Sequence, residues 1–146
     1  MNLKIQQATE RDLDAIKKLL EDNNLPTTDI HQDNIQFFIG LMDDKIMSVI
    51  GLEKYNNVGL LRSLAVTDLF KNLQVGSRLI RQIFELCASE HIDKLYLLTT
   101  TAEKYFVKFG FLKIDRIEAP DILKQTREFK DICPLSAVLM YKNLNC

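Results

Sequence analysis

The chain has 146 residues, of which 47% are hydrophobic, so it is long enough to bury the core of one ordinary domain. Its formal net charge of −1 provides no electrostatic reason to bind nucleic acid or an anionic membrane. No apolar stretch approaches the length of a membrane span, and the first ten residues lack the pattern of a signal peptide. We therefore expect a cytoplasmic globule that forms a single domain over residues 1–146, with no nucleic-acid or membrane partner.

The cysteines, Cys87, Cys133 and Cys146, are odd in number and show no CxxC spacing. This pattern favours a reducing compartment and argues against a disulfide framework or a zinc site. Ligation of arsenite by the three thiols is an alternative, but they lie far apart along the chain. We predict no metal site.

The N-terminal quarter predicts a strand and then an amphipathic helix. Residues 3–8 alternate in polarity, as a half-buried strand does. Residues 9–12 have the spacing of a capping box, and the apolar residues that follow share one helical face: Leu13, Ile16, Leu19 and Leu20. Residues 27–32 are ambiguous, since the pattern suits either a short helix or an active-site loop.

Three strands are predicted next, joined by two tight turns. The pairs Asp43-Asp44 and Asn56-Asn57 are typical of two-residue hairpin turns. They separate three apolar segments, residues 34–42, 45–55 and 58–66. These segments should form three consecutive antiparallel strands.

The second half of the chain predicts alternating helices and strands. A long amphipathic helix begins near Val75, and Gly110 suits the left-handed position that ends a later helix. The remaining elements are a strand at 94–100, a helix at 102–109, a strand at 111–115, a helix at 120–132 and a strand at 136–142. Together the elements predict a mixed α/β sheet of about seven strands with one parallel crossover.

A polar turn links the strand at 58–66 to the long helix. The start of a helix leaves backbone N–H groups without partners and carries partial positive charge, which favours an anion such as phosphate. Lys71 adds a cation, and Gly76 lets a ligand approach the backbone closely. The alternative stays open, because many helices follow such a turn and bind nothing.

The element order and two motifs resemble the GNAT acetyltransferase superfamily. The pyrophosphate motif of that superfamily, Q/R-x-x-G-x-G/A, falls on KNLQVG at residues 71–76. A second motif, A-x-x-x-F/Y-x-x-x-G-F/Y, falls on AEKYFVKFGF at residues 102–111. A narrower similarity, to small arsenic-resistance N-acetyltransferases, lies in LLRSLAV, YLLTTTAEKYF and DRIEAPDILKQTREFKDICPLSAV. The resemblance implies the GNAT fold.

The resemblance also implies acetyl-CoA as cosubstrate. Its pyrophosphate would bind backbone amides of the turn, and its pantetheine arm would add to the strand at 58–66 by main-chain hydrogen bonds. The residues implied are Leu64, Ala65, Val66, Lys71, Asn72, Leu73, Gln74, Val75, Gly76, Ser77, Thr99 and Phe106. Core packing is an equally good explanation for Leu64 and Val66.

The chain departs from the family pattern at four of these positions. Gln74 replaces the motif glycine, and its Cβ resists the positive φ that glycine accepts. Lys71 replaces Gln or Arg, and Thr99 replaces an asparagine. Phe106 replaces the tyrosine that in many relatives protonates the departing thiolate, a contribution worth about 10²–10⁴ in rate. An alkyl thiol has a pKa of about 8.5, so its thiolate can leave without that proton donor.

Two further groups of residues are candidates for catalysis. In the predicted hairpin, Glu53 and Arg62 share a face as diagonal neighbours about 7–8 Å apart at the backbone. Either Arg62 binds a substrate anion while Glu53 removes a proton from the amine, or the two form a solvent-facing salt bridge. Cys133 and Ser136 are alternative proton donors, or else a buried thiol and a hydroxyl at the end of an element.

These observations predict an N-acetyltransferase that acts on a small-molecule amine. The amine would attack the thioester directly, and a strand amide near Leu64 or Ala65 would stabilise the oxyanion. The narrower similarity suggests an amino-acid-like acceptor or an arsenic-containing amino acid analogue. The alternatives are a CoA-binding or ligand-binding module with little turnover, and a plain interaction domain. The sequence leaves the oligomeric state open, although relatives commonly form homodimers.

Overall fold

The computed structural model describes residues 3–32, 34–68, 74–127, 129–130 and 136–144. The strands are β1 (Lys4–Gln7), β2 (Ile35–Met42), β3 (Lys45–Tyr55), β4 (Val58–Val66), β5 (Lys94–Thr99), β6 (Leu112–Ile114) and β7 (Val138–Asn143). The helices are α1 (Leu13–Asp22), α2 (Val75–Ser89), α3 (Glu103–Val107) and α4 (Asp121–Lys124), and there are 3-10 turns at Glu10–Asp12 and Arg116–Glu118. The strands form one mixed sheet in the order β1-β2-β3-β4-β5-β7-β6, which confirms the predicted seven-stranded α/β fold.

The residue contacts divide the chain into two compact units. The first contains Met1–Glu53 and Arg62–Leu86, and the second contains Lys54–Leu61 and Cys87–Cys146. In the first unit, β1 pairs antiparallel with β2, and β2 pairs antiparallel with β3. The turn between β2 and β3 has φ of 50° at Asp43 and 63° at Asp44, as a type I′ hairpin turn requires.

The core of the first unit lies where α1 packs on the sheet. Its buried residues are Ile16, Leu19, Leu20, Ile30, Phe37, Ile39, Val49 and Ala65. The predicted capping box is present at the 3-10 turn that leads into α1, since the Thr9 N–H donates to Asp12 Oδ2 at 2.8 Å. The ambiguous residues 27–32 form a turn at residues 28–31 between α1 and β2, in which Asp29 and Ile30 are buried.

In the second unit, β4 and β5 run parallel, which confirms the predicted crossover. Their pairing joins Val58 to Lys94 at one end and Leu61 to Leu97 at the other. Strand β7 pairs antiparallel with β5 and with β6. The core residues of this unit are Val58, Leu60, Tyr96, Ala119, Leu123 and Leu139.

Most predicted bounds hold to within two residues. The helix predicted at 102–109 is shorter, because α3 covers only Glu103–Val107. Gly110 has φ of +92°, which confirms its left-handed position after that helix. In the segment predicted as a helix at 120–132, α4 covers Asp121–Lys124, and residues 127 and 129–130 are helical again after a break at Gln125 and Thr126. Within the described ranges, no helix is both long enough and apolar enough to cross a membrane.

Candidate active site

A buried ionic cluster lies in the first unit, centred on Arg62 of β4. Arg62 donates from Nη2 to Asp29 Oδ1 at 2.7 Å and from Nη1 to Asp29 Oδ2 at 2.5 Å. Nη1 also donates to Glu53 Oε2 at 2.9 Å. The side chain of Arg62 is 0% exposed, and those of Asp29 and Glu53 are each 1% exposed. One guanidinium therefore bridges two carboxylates with almost no solvent contact.

This geometry tests one of the two interpretations of Glu53 and Arg62, the solvent-facing salt bridge. The predicted proximity is confirmed, whereas the solvent-facing salt bridge is wrong because both side chains are buried. Asp29 occupies the guanidinium fork with a bidentate pair, the geometry that was expected for a substrate anion. Removing one partner of such a buried pair costs about 3–5 kcal/mol, because it leaves an uncompensated charge.

Sequence reasoning missed Asp29. It lies in the turn region after α1, and 33 positions separate it from Arg62. The available signal was an acidic residue beside apolar Ile30 in a segment with no helical or strand periodicity. That signal identifies no partner, because only the tertiary fold brings Asp29 to β4.

The backbone of β4 is irregular next to this cluster. Ser63 has φ of +60°, in the left-handed region that residues with a side chain rarely adopt. The Nε of Arg62 donates to Ser63 Oγ at 2.9 Å. A left-handed residue inside a strand interrupts the alternation of side chains, as in a β-bulge. The residues that follow are partly buried Leu64 and Val66, with Ala65 between them in the core.

The start of α2 contains the second irregular residue, Gln74. It has φ of +61°, so it adopts the conformation that its Cβ was expected to resist. The Gln74 carbonyl accepts from the Arg78 N–H at 3.2 Å and from Ser77 Oγ at 2.8 Å. Val75 and Gly76 are buried in the first turn of the helix. The implied cofactor residues Lys71, Asn72 and Leu73 lie outside the described residues.

Thr99 has a local structural contact. Its Oγ1 accepts from the Ala102 N–H at 3.0 Å, which satisfies an amide just before α3. Of the two proposed proton donors, Ser136 lies exposed before β7, whereas Cys133 falls outside the described residues.

Phe106 packs in an aromatic group of α3. Its ring lies edge-on to Phe111 with centroids 5.8 Å apart and to Tyr105 with centroids 5.4 Å apart. Burial raises the pKa of the Tyr105 phenol above its ordinary value. Tyr105 also packs against Phe109 at 5.2 Å.

Cys87 is a buried thiol of α2 and lies in its hydrophobic face. Burial, with a smaller contribution from the charge of Glu90, raises the pKa of Cys87 from 9.0 to about 12. The thiol is therefore protonated and unreactive at neutral pH. In the part of the chain that the structure describes, no group of three or more His, Cys, Asp and Glu side chains is arranged to hold a metal ion.

The family of this chain can be assigned from the sequence between β1 and the residue after Gly110. A match to the acetyltransferase (GNAT) family extends over residues 3–111. The chain belongs to the GNAT acetyltransferase family. The matched region contains both irregular positions of this GNAT chain, Ser63 and Gln74, whereas residues 112–146 lie beyond it. No curated protein matches this GNAT sequence.

Solved structures share the GNAT fold at low sequence identity. One is N-acetylglutamate synthase from Neisseria gonorrhoeae, solved with coenzyme A and N-acetyl-glutamate, to which the chain is 20% identical. The TM-score is 0.80, and the match covers 99% of this chain and 35% of the synthase. A GNAT acetyltransferase from Staphylococcus aureus is 21% identical, with a TM-score of 0.76 and coverage of 98% and 99%. PaiA N-acetyltransferase from Thermoplasma acidophilum, solved with coenzyme A, is 14% identical, with a TM-score of 0.75 and coverage of 98% and 99%. The chain thus spans about a third of the length of the synthase.

Proposed function

We propose that this chain is an acetyl-CoA-dependent N-acetyltransferase that acts on a small amine. One observation carries the proposal beyond family membership: Gln74 holds φ of +61° at the position of the motif glycine. A left-handed conformation costs an ordinary residue about 1–2 kcal/mol, so it persists only where the surroundings demand it. Gln74 therefore adopts the conformation that the motif glycine would accept, which supports a pyrophosphate site at the start of α2.

Acetyl-CoA would bind in two places on the first unit. Its pyrophosphate would accept from amides at the start of α2, where the helix dipole adds partial positive charge. The residues proposed there are Asn72, Leu73, Gln74, Val75, Gly76 and Ser77, with Lys71 as the cation. The pantetheine arm would add as a strand along Leu64, Ala65 and Val66 through main-chain hydrogen bonds. The buried side chain of Ala65 fits this mode, because strand addition uses only its backbone.

In the proposed reaction, the amine nitrogen attacks the thioester carbonyl. A C–N bond forms, the amine loses a proton to a base, and the C–S bond breaks to release the thiolate of coenzyme A. The N–H of Leu64 or Ala65 would stabilise the negative oxygen of the intermediate. No covalent enzyme intermediate is needed.

The thiolate needs no strong acid from this chain. Phe106 cannot donate a proton, but a thiol with a pKa of about 8.5 is a tolerable leaving group. Cys133 and Ser136 remain proposed donors, and Thr99 and Phe106 remain proposed neighbours of the cofactor. The exposure of Ser136 supports its access to solvent protons.

Glu53 is the proposed base, reaching the amine directly or through a water, and Arg62 holds its carboxylate in place. The 2.9 Å contact between Arg62 Nη1 and Glu53 Oε2 supports this pairing. A direct bond from Arg62 to a substrate carboxylate would require the substrate to displace Asp29, because that fork already binds Asp29.

For the acceptor, we propose an amino-acid-like amine, with an arsenic-containing amino acid analogue as the narrower candidate. The narrower candidate depends on the resemblance of three segments: LLRSLAV and YLLTTTAEKYF lie inside the region of the family match, and residues 115–138 lie beyond it. We further propose that residues 1–146 act as one cytoplasmic acetyltransferase domain and that the chain can form a homodimer. Sedimentation velocity would test the dimer.

The test is an acetylation assay on a panel of amines with acetyl-CoA. The panel should contain L-glutamate, L-methionine, spermidine and an arsenic-containing amino acid analogue, with mass spectrometry of the acetylated product. Release of free thiol without acetylated amine would indicate hydrolysis only. Thermal stabilisation by CoA without product from any amine would favour the second candidate, a CoA-binding module with little turnover, for which the missing hydroxyl at Phe106 is the supporting observation.

A further inference from the structure

Asp29 and Ser63 bind opposite ends of the same buried guanidinium. Nη1 and Nη2 of Arg62 donate hydrogen bonds to the carboxylate of Asp29, at 2.5 and 2.7 Å. The Nε–H of Arg62 donates a hydrogen bond to Ser63 Oγ at 2.9 Å. Counted as whole residues, Asp29 and Arg62 are 2% and 4% exposed, so these hydrogen bonds form with almost no competition from water. Glu53 accepts from Nη1 alone, at 2.9 Å, whereas Asp29 binds both Nη atoms, so the bidentate contact with Asp29 sets the plane of the guanidinium and with it the direction of the Nε–H donor.

Ser63 is the residue that needs this donor. It is left-handed, at φ of +60°, in the middle of β4. Serine has no special tolerance of this conformation, unlike asparagine, aspartate or glycine. A buried hydrogen bond to its hydroxyl is a specific force that holds the residue there. Asp29 thus acts on the backbone of β4 through Arg62.

The consequence falls on the next residues of the strand. The pairing of β4 with β5 extends to Leu61, directly before Arg62. Leu64, Ala65 and Val66 come directly after Ser63, and their backbone is the proposed site of the pantetheine arm. The dihedral angles of Ser63 set the direction in which those amides and carbonyls point.

We propose that Asp29 is a positioning residue for the thioester: through Arg62 it holds the left-handed Ser63, and so it orients the backbone of Leu64–Val66 that receives acetyl-CoA. This inference rests on the proposed function for its consequence in catalysis. The relay itself consists of contacts within the first unit. Asp29 touches neither cofactor nor reacting atoms in this role.

The test uses glycine at position 63 as a rescue. Asp29→Asn keeps the size of the side chain but removes one of the two acceptors and the charge. We expect it to weaken CoA binding about tenfold in titration calorimetry, the change that one lost hydrogen bond to a charged group gives. Adding Ser63→Gly should recover most of the affinity, because glycine holds a positive φ without the relay. A residue that only stabilises the fold would show no such rescue.

A matched control is available in Asn24, which has φ of +60° at the end of α1. Asn24→Gly supplies the same kind of substitution away from β4, and it should leave the CoA affinity of Asp29→Asn unrecovered. Recovery by Asn24→Gly, or no recovery by Ser63→Gly, overturns the inference. Where Asp29→Asn does not fold, Ser63→Ala takes its place: it should weaken CoA binding about tenfold, and unchanged binding overturns the inference.

A second readout separates this inference from the proposed function. The three-bond coupling between HN and Hα of Ser63, measured by NMR without ligand, reports its φ. Asp29→Asn should move the Ser63 coupling away from its left-handed value, whether or not the unaltered chain binds CoA. If the coupling stays fixed, the relay is refuted. If the unaltered chain neither binds CoA nor acetylates any amine while the coupling moves, the proposed function fails and the relay stands.

Discussion

Gln74→Gly is the sharpest test of the site at the start of α2. Gln74 carries its side chain into a left-handed conformation, at φ of +61°. Its side chain is exposed, and its carbonyl accepts from the Arg78 N–H at 3.2 Å. Glycine keeps that carbonyl and removes only the steric cost, so the substitution should stabilise the folded protein.

The size of the effect follows from two opposing contributions. Left-handed geometry costs a residue with a Cβ about 1–2 kcal/mol. Glycine loses more backbone entropy on folding, which takes back about 0.5–1 kcal/mol. The net gain in the free energy of unfolding is about 0.5–1 kcal/mol, or a rise of about 2–3 °C in Tm for a chain of this size. Affinity for CoA should change less than about threefold, because the ligand-free chain already holds the required conformation.

Chemical denaturation of three proteins measures this difference. The unaltered chain, Gln74→Gly and Gln74→Ala are compared, since alanine removes the amide group but keeps the Cβ. The glycine variant should be the most stable, and the alanine variant should lie within about 0.5 kcal/mol of the unaltered chain. A glycine variant less stable than the alanine variant would refute the reasoning, because it would mean that residue 74 has no strain to relieve.

Three further predictions concern buried positions. Gly51→Ala should lower the free energy of unfolding by about 1–3 kcal/mol, because the added Cβ would lie 2.8 Å from Phe37 Cε1 and 3.3 Å from Arg62 Cγ; an unchanged denaturation midpoint would contradict this packing. Burial raises the pKa of Cys87 from 9.0 to about 12, so the folded state disfavours its thiolate. Its contribution to the free energy of unfolding is therefore complete below pH 9.0. That contribution is lost as the pH rises towards about 12, at about 1.4 kcal/mol per pH unit. Unfolding of Cys87→Ala across that pH range should lack this slope, and equal slopes would argue against the shift. Phe106→Tyr should raise kcat for acetyl transfer by up to about 10²-fold, because the new hydroxyl could protonate the departing thiolate. A correctly folded variant with unchanged kcat would mean that the ring at position 106 lies away from the leaving group.

Local chemistry made the hairpins predictable. Asp43 and Asp44 form a two-residue turn with both φ values positive, and this requirement is visible in the residue types themselves. A two-residue turn also sets the register of its strands, and β2 and β3 pair from Met42 with Lys45 to Ile35 with Glu53, with a shift between Gly40 and Leu41. The strand order beyond β5 was less accessible. The pairing of β7 with both β5 and β6 depends on contacts between segments far apart in sequence, for which no short motif exists.

The candidate site was predictable where it follows a motif and hidden where it depends on a tertiary contact. Glu53 and Arg62 were placed together by the geometry of one hairpin. Asp29 was not, because the segment that holds it has no periodicity and its partner is 33 positions away. The start of α2 near Val75 was predicted from spacing, whereas the left-handed conformation of Gln74 was not expected from its residue type.

The left-handed residues of the described chain separate into two groups that bear on function. Apart from Gly110, five are of the types that tolerate this conformation and lie in turns or at helix ends: Asn24, Asp43, Asp44, Asn56 and His91. Two have no such tolerance, Ser63 inside a strand and Gln74 at the start of a helix. Local preference explains the first group without reference to a ligand. It opposes the second, so the surrounding fold holds these two residues against their own tendencies. Strain of this kind concentrates where a backbone must present its amides in a fixed direction, and the two strained residues flank the two segments proposed to bind the pantetheine arm and the pyrophosphate of one cofactor.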